Sequence, residues 1–291
     1  MKQLLFLFLL LISTLALAKP NVIVSIAPQK TFVQKIAKDM VHVTVMVAPG
    51  SSPHSYEPKP SQMMALSKAD IYFSIGVEFE KVWLPKFQAQ NKKLIVVDIS
   101  ANIVKRTIAK HHHDESHVTK GSHVTEEHQH TGLDPHTWVS PNNVAIMAQS
   151  IYENLVKISP QNATAYKKNL NAFLHEIQAT DMEIKQILKN VPAHTKFMAF
   201  HPSWGYFADE YDLVQVAIEV EGKSPQPKEI IHVIQEAKEE QVKVIFTQPE
   251  FSDKSAQIIA KEAGVRVQKI SPLNPEWSQN LINMAEAIAK Q

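Results

Sequence analysis

Three histidines stand in local sequences that look built around them. His54 lies in APGSSPHSYEPKPSQ, His136 in GLDPHTWVSP and His201 in FMAFHPSWGYF. A neutral imidazole is the nitrogen ligand that a divalent transition metal takes up near neutral pH. Pro49, Pro53, Pro58 and Pro60 stiffen the His54 loop, since each ring fixes its own φ and restricts the residue before it. Any one of these histidines alone reads more naturally as an ordinary surface or packed side chain; the set points to metal. A denser cluster, HHHDESHVTKGSHVTEEHQH, fills residues 111–130, with seven histidines in twenty positions. It has too little apolar surface to join a core and reads as a solvated loop. Such a tract cannot hold a fixed coordination geometry, so it is expected to gather ions weakly near the main site. The remaining histidines, His42 in a strand, His175 and His232 on helices and His194 in a polar turn, read as structural or surface residues.

Other chemistries find little support. The chain has no cysteine, which excludes disulfides, thiolate ligands, a cysteine nucleophile and a lipidated cysteine. With seven glycines there is little material for a phosphate cradle, and Gly222-Lys223-Ser224 fails as a Walker loop because Ala217 stands where its first glycine belongs. There is no HExxH, no GxSxG and no suggestively spaced carboxylate pair. Three histidines with an open fourth position are also the layout of a catalytic zinc site, so a zinc-dependent hydrolase is the enzymatic alternative. Without a positioned general base the expectation is a binding protein rather than an enzyme.

Residues 1–18, MKQLLFLFLLLISTLALA, combine one lysine, an apolar run and a small-residue ending, the pattern of a secretory signal peptide. The run is short of the ~20 residues needed to span a bilayer. Its removal takes away Lys2 and no acid, leaving 29 basic against 29 acidic residues. A chain without excess positive charge is poorly suited to neutralising phosphates, so no nucleic-acid partner is expected. The expected location is the periplasm, and the expected state a monomer.

The elements that must position the histidines follow from hydrophobic patterning. Strands are predicted at 21–28, 41–49, 69–76 and 93–99, with helices at 29–38, 60–68 and 80–89 between them. A second series places strands at 196–201, 214–220, 242–248 and 265–270, with helices at 227–240 and 254–263. This alternation predicts an α/β fold of two lobes, each a mainly parallel sheet flanked by helices. The lobes are expected at 19–140, including the 111–130 loop, and at 191–291. Between them, 141–190 is helical. Residues 161–190 lack Gly and Pro, and Ala165, Leu170, Phe173, Ile177, Met182, Ile184, Ile187 and Leu188 fall mostly at helical spacing. A single long helix joining two lobes is a stiff connection. His54 and His201 then lie just past the carboxyl ends of strands, where open α/β sheets bind ligands.

The segments PHSYEPKPSQ, DPHTWVSP, FHPSWGYFADEYDL and EGKSPQPKEI, in order from Asn21 to the C-terminus, resemble those of the zinc-binding substrate proteins of ABC importers, the ZnuA group. The resemblance implies two α/β lobes joined by one long helix. It implies a single Zn2+, the transported ligand, held by His54, His136 and His201 between the lobes through Nε2. It also implies a membrane permease with its ATPase as the partner. Three imidazoles suit zinc, whereas manganese(II) prefers carboxylate oxygen. Where many relatives carry a further aspartate this chain has Ser271, so water, Ser271 and Glu250 all stand open as the fourth ligand, with an exogenous ligand favoured. Asp134 reads as a turn-capping residue somewhat more than as a hydrogen-bond partner of an imidazole. Trp204, Tyr206 and Phe207 are expected to pack the cleft wall. A periplasmic zinc buffer or adhesin without transport is the alternative function.

Overall fold

A computed structural model describes residues 18–108, 132–219 and 224–290. The expected leader at 1–18 and the histidine-rich stretch at 111–130 therefore lie, apart from Ala18, outside the described residues.

The first lobe runs β1 (Asn21–Val24), α1 (Ala27–Ala37), β2 (His42–Val45), α2 (Pro60–Leu66), β3 (Ile71–Ser74), α3 (Glu78–Gln90) and β4 (Ile95–Asp98). All its strands pair in parallel, in the order β2-β1-β3-β4. The central β3 is buried along its whole length, as a sheet covered on both faces requires, and the edge strands β2 and β4 are partly exposed. The second lobe repeats the plan with β5 (Thr195–Ala199), α6 (Gly205–Glu210), β6 (Leu213–Ala217), α7 (Pro227–Glu239), β7 (Val244–Thr247), α8 (Lys254–Ala263) and β8 (Arg266–Lys269), in the order β6-β5-β7-β8. In both sheets the order of strand addition reverses beside the first strand, while every pairing stays parallel. That leaves a crevice beyond the carboxyl ends of β1 and β3, and another beyond β5 and β7.

Two helices connect the lobes. α4 (Pro141–Ile158) starts at Ser140, whose Oγ accepts a hydrogen bond from the Asn143 N–H, with Pro141 in the first turn where its missing donor costs nothing. α5 (Ala163–Leu188) has 26 residues, which makes it about 39 Å long at 1.5 Å per residue. Its buried stripe is Tyr166, Leu170, Phe173, Ile177, Thr180, Ile184 and Leu188. Of the apolar residues noted at helical spacing, Ala165 and Met182 face solvent. Thr180 is buried instead, because its hydroxyl finds the Glu176 carbonyl at 2.9 Å.

Patterning missed α6 and the C-terminal α9 (Trp277–Ala289). α9 packs on α5, and at its start it reaches the first lobe: the Trp277 ring meets Phe32 of α1 edge-on at 5.6 Å, and the Thr31 hydroxyl donates to the Pro275 carbonyl at 2.8 Å. One core therefore runs from the first sheet through α4, α5 and α9 to one face of the second sheet, taking Phe197, Ala199, Val244 and Phe246. The alternate residues Met198, Phe200 and Ile245 pack on the other face with α7 and α8. The lobes share a core as well as a connecting helix.

Candidate metal centre

Each of the three histidines arrives from a different part of this frame. The His54 loop leaves β2 and turns at Gly50, whose φ of +76° favours glycine. Gln62 ties the loop's far side back to the strand end, its Nε2 donating to the Val45 carbonyl at 3.1 Å. His201 follows β5 directly, and Gln248, just past β7, clamps its backbone. The Gln248 Oε1 accepts from the His201 N–H at 3.1 Å, and its Nε2 donates to the His201 carbonyl at 2.8 Å. His136 precedes α4 in a segment tied to the second lobe twice. The indole of Trp138 donates to the Pro272 carbonyl at 2.8 Å, and the Tyr206 hydroxyl donates to the Asp134 carbonyl at 2.9 Å. The Trp277 indole closes the frame by donating to the Trp138 carbonyl at 2.7 Å.

These elements bring the three imidazoles together. The Nε2 atoms of His54 and His201 are 3.0 Å apart, and those of His201 and His136 3.3 Å. Among the described residues they form a group whose ligand atoms all lie within 4.8 Å of one another. His136 and His201 are buried, whereas His54 stands on the open side. The cavity they line leaves about 20 Å³ for the centre of a water-sized sphere, enough to admit a water-sized guest. Its other walls include Pro53, Val77, Trp138, Phe251, Pro272 and Leu273. The Phe251 ring stacks on His201 at 4.9 Å.

Every imidazole turns its Nδ1 towards a carboxylate. His136 Nδ1 lies 2.7 Å from Asp134 Oδ1, His201 Nδ1 lies 2.8 Å from Glu219 Oε1, and His54 Nδ1 lies 3.0 Å from Glu78 Oε2. On His136 and His201 these hydrogen bonds favour the Nδ1–H tautomer, which turns their Nε2 lone pairs into the site, while His54 meets Glu78 at ion-pair distance. Imidazole nitrogens converging in this way suit a cation. The carboxylates of Asp134 and Glu78 stay ionised. Burial would push the Asp134 carboxyl up, but its hydrogen bonds from His136 and the nearby Arg106 hold it below the usual range. Burial also opposes ionisation of Glu78, and contact with His54 outweighs it, drawing the carboxyl down to about 2. Burial lowers the pKa of His201, which keeps that ring neutral. For His54 burial pulls downward too, but Glu78 and Glu219 prevail and its pKa is raised.

Both readings of Asp134 are realised. It caps the turn, accepting from the His136 N–H at 3.0 Å, and the same oxygen also holds the His136 ring. Trp204, Tyr206 and Phe207 do not form the cleft wall as expected: they are buried and stand outside the cavity lining. His42, His175, His194 and His232 lie away from the site, and His194 pairs instead with Asp212 at 3.2 Å. Sequence reasoning did not find Glu78, Glu219 or Gln248. Each follows a strand within a few residues, and a charged or amide side chain at that place was the available signal. It also did not find Arg106, which lies 2.9 Å from Asp209 and 3.6 Å from Asp134 and crosses over Gly205, where a Cβ would collide with its guanidinium.

Two parallel-sheet lobes joined by a long helix, with an ion-sized nitrogen site between them, define the class of metal-binding substrate-binding proteins of transporters, which are not enzymes. Within that class the chain belongs to the ZnuA family, the zinc-uptake complex component A, periplasmic, whose sequence model matches residues 22–291. A crystal structure of ZnuA superposes with a TM-score of 0.83 at 39% identity, covering 94% of this chain and 98% of that one. The high-affinity zinc uptake system protein ZnuA of Yersinia pestis is 26% identical over 276 residues, 91% of this chain and 86% of its own length. The iron-binding protein YfeA of the same organism is 27% identical over 269 residues, 88% of this chain and 81% of its own. Among the described residues no helix is long and apolar enough to cross a membrane.

Proposed function

We propose that this protein captures one Zn2+ ion at His54, His136 and His201 and delivers it to an ABC importer, a membrane permease with its ATPase. The observation that carries the reading is the convergence of three imidazole Nε2 atoms whose rings all face carboxylates. A tetrahedral zinc ion with bonds of 2.0–2.1 Å sets its ligand nitrogens about 3.3 Å apart. Two of the three separations, 3.0 and 3.3 Å, lie near that spacing, and the third is within 4.8 Å. An all-imidazole set favours zinc over manganese(II), which seeks carboxylate oxygen. Residues 1–18 serve as the export signal, 19–140 and 191–291 as the lobes, and 141–190 as the connecting segment. The lobes share packed core, so capture proceeds with little rigid-body movement between them.

Titration against a competing chelator tests the ligand set. Alanine at His54, His136 or His201 weakens zinc binding by at least about tenfold, since each removes a protein ligand of a site that has three. His42→Ala leaves it unchanged. Equal binding by all four variants would overturn the assignment, and a larger thermal shift with manganese than with zinc would overturn the choice of metal. Transport is tested separately, by zinc-limited growth of cells lacking the protein. Growth restored by the parent and not by His201→Ala supports delivery over a buffer or adhesin.

A further inference from the structure

The cavity wall contributed by the second lobe's later loops carries one polar group that the three-histidine site leaves unused. Glu250 follows β7 and lines the cavity beside His54, His136 and His201. One of its oxygens, Oε1, accepts the Ser271 hydroxyl at 2.6 Å. Ser271 is held in turn: its Oγ accepts from the Leu273 N–H at 3.0 Å, and its carbonyl accepts from the Asn280 side chain at 2.9 Å. With its hydroxyl proton given to Glu250 and its lone pair taken by Leu273, Ser271 is a support and a poor metal ligand. The other carboxylate oxygen, Oε2, is shut off from solvent and has no hydrogen-bond partner. A buried acceptor without a donor is costly. The rest of the cavity lining supplies none, being imidazole acceptors, the carboxylate of Glu78 and apolar side chains.

The missing donor has to come with the ion. The close-set ligand group comprises the three imidazoles and does not include Glu250, so that carboxylate stands farther out than a fourth ligand would. We infer that Glu250, oriented by Ser271, accepts a hydrogen bond through Oε2 from a water molecule in the fourth coordination position of the bound metal, and so reserves that position for water. The inference rests on the zinc reading above and assigns the one position that reading leaves open. Water on zinc is strongly polarised and a better donor than bulk water, so the pairing is favourable. The same negative charge repels a small anion that would take the water's place. Glu250 is thus a positioning residue that decides what accompanies the ion.

Cobalt(II), whose visible absorption reports its ligands, is the probe, with azide as the competing anion. The full chain and its Glu250→Gln, Glu250→Ala and Ser271→Ala variants are loaded with cobalt and titrated with azide. Both Glu250 variants bind azide at least about fivefold more tightly than the parent, because the repelling charge is gone. Their zinc affinity, measured separately, falls by about tenfold with one tight site retained, the low end for loss of an outer partner. Ser271→Ala shifts azide binding in the same direction by less. Unchanged azide affinity in both Glu250 variants overturns the inference. So does a loss of the tight site beyond about a hundredfold in Glu250→Ala, which would make Glu250 a direct ligand. A tight site that survives His201→Ala marks failure of the underlying zinc reading instead, because that variant leaves Glu250 and Ser271 intact.

Discussion

Replacing Glu219 by glutamine tests whether the carboxylates behind the imidazoles set the strength of the site. Glu219 Oε1 accepts from His201 Nδ1 at 2.8 Å, and the two side chains are only 6% and 8% exposed, so solvent screens the contact little. A hydrogen bond to a charged group contributes about 1.5–3 kcal/mol net, but most of that is present in the metal-free protein as well. What zinc binding feels is the difference: a metal on Nε2 makes the ring positive and its Nδ1–H a stronger donor, and an ionised acceptor answers that change. Outer partners of this kind are worth about 10–100-fold in metal affinity, or about 1.4–2.7 kcal/mol. Glutamine keeps the volume and an accepting oxygen and loses only the charge. Glu219→Gln is therefore expected near the tenfold end, and Glu219→Ala, which also releases the ring, near a hundredfold. The assay is competition with a chelator of known affinity near neutral pH, with metal-free melting temperatures measured alongside. Zinc affinities within twofold of the parent in both variants, with melting unchanged, would show that His201 needs no carboxylate behind it.

Two further outcomes follow from the same geometry. Glu78 and Glu219 raise the pKa of His54 despite its burial, so as pH falls this ring takes a proton before an unperturbed imidazole would, while the lowered pKa of His201 keeps that ring free. The proton on His54 stabilises the metal-free fold below that raised pKa, the benefit is lost as pH rises through it, and zinc must displace it. Zinc affinity should accordingly begin to fall somewhat above about pH 6.5, with proton release seen as a buffer-dependent calorimetric heat. Glu78→Gln should move that onset downward, and an onset unmoved by it would count against His54 as the titrating ligand. Deleting Lys110 to Thr131 should remove weak zinc sites from a titration and keep one tight site per chain. Ordering such a polar tract around an ion costs roughly 1–2 kcal/mol per residue fixed, which the folded site avoids. Loss of the tight site with the fold intact by circular dichroism would place a ligand in the loop.

Much of the architecture is legible in the residue order, because the signals that specify it are local. Runs such as NVIV and IYFS, short and rich in β-branched or aromatic residues, read as buried strands, and the Gly- and Pro-free stretch around Phe173, apolar at helical spacing, reads as a long helix. The three histidines stand out for the same reason: prolines and aromatic residues beside them mark loops with a defined shape. What the sequence could not decide is which distant groups meet. Glu78 and Glu219 look like any acids after a strand until the fold sets them against His54 and His201, 24 and 18 residues away in the chain. Asp134 looks like a turn residue until its oxygen is seen to serve both the His136 backbone and its ring. The return of α9 to α1, which gives the lobes a common core, depends on Trp277 finding Phe32 across 245 residues. Hydrophobic periodicity tells a helix which face to bury and says nothing about the partner that buries it. Ser271 and Glu250 show the same division: either alone is a candidate ligand, and only their contact leaves one carboxylate oxygen free for what the metal carries.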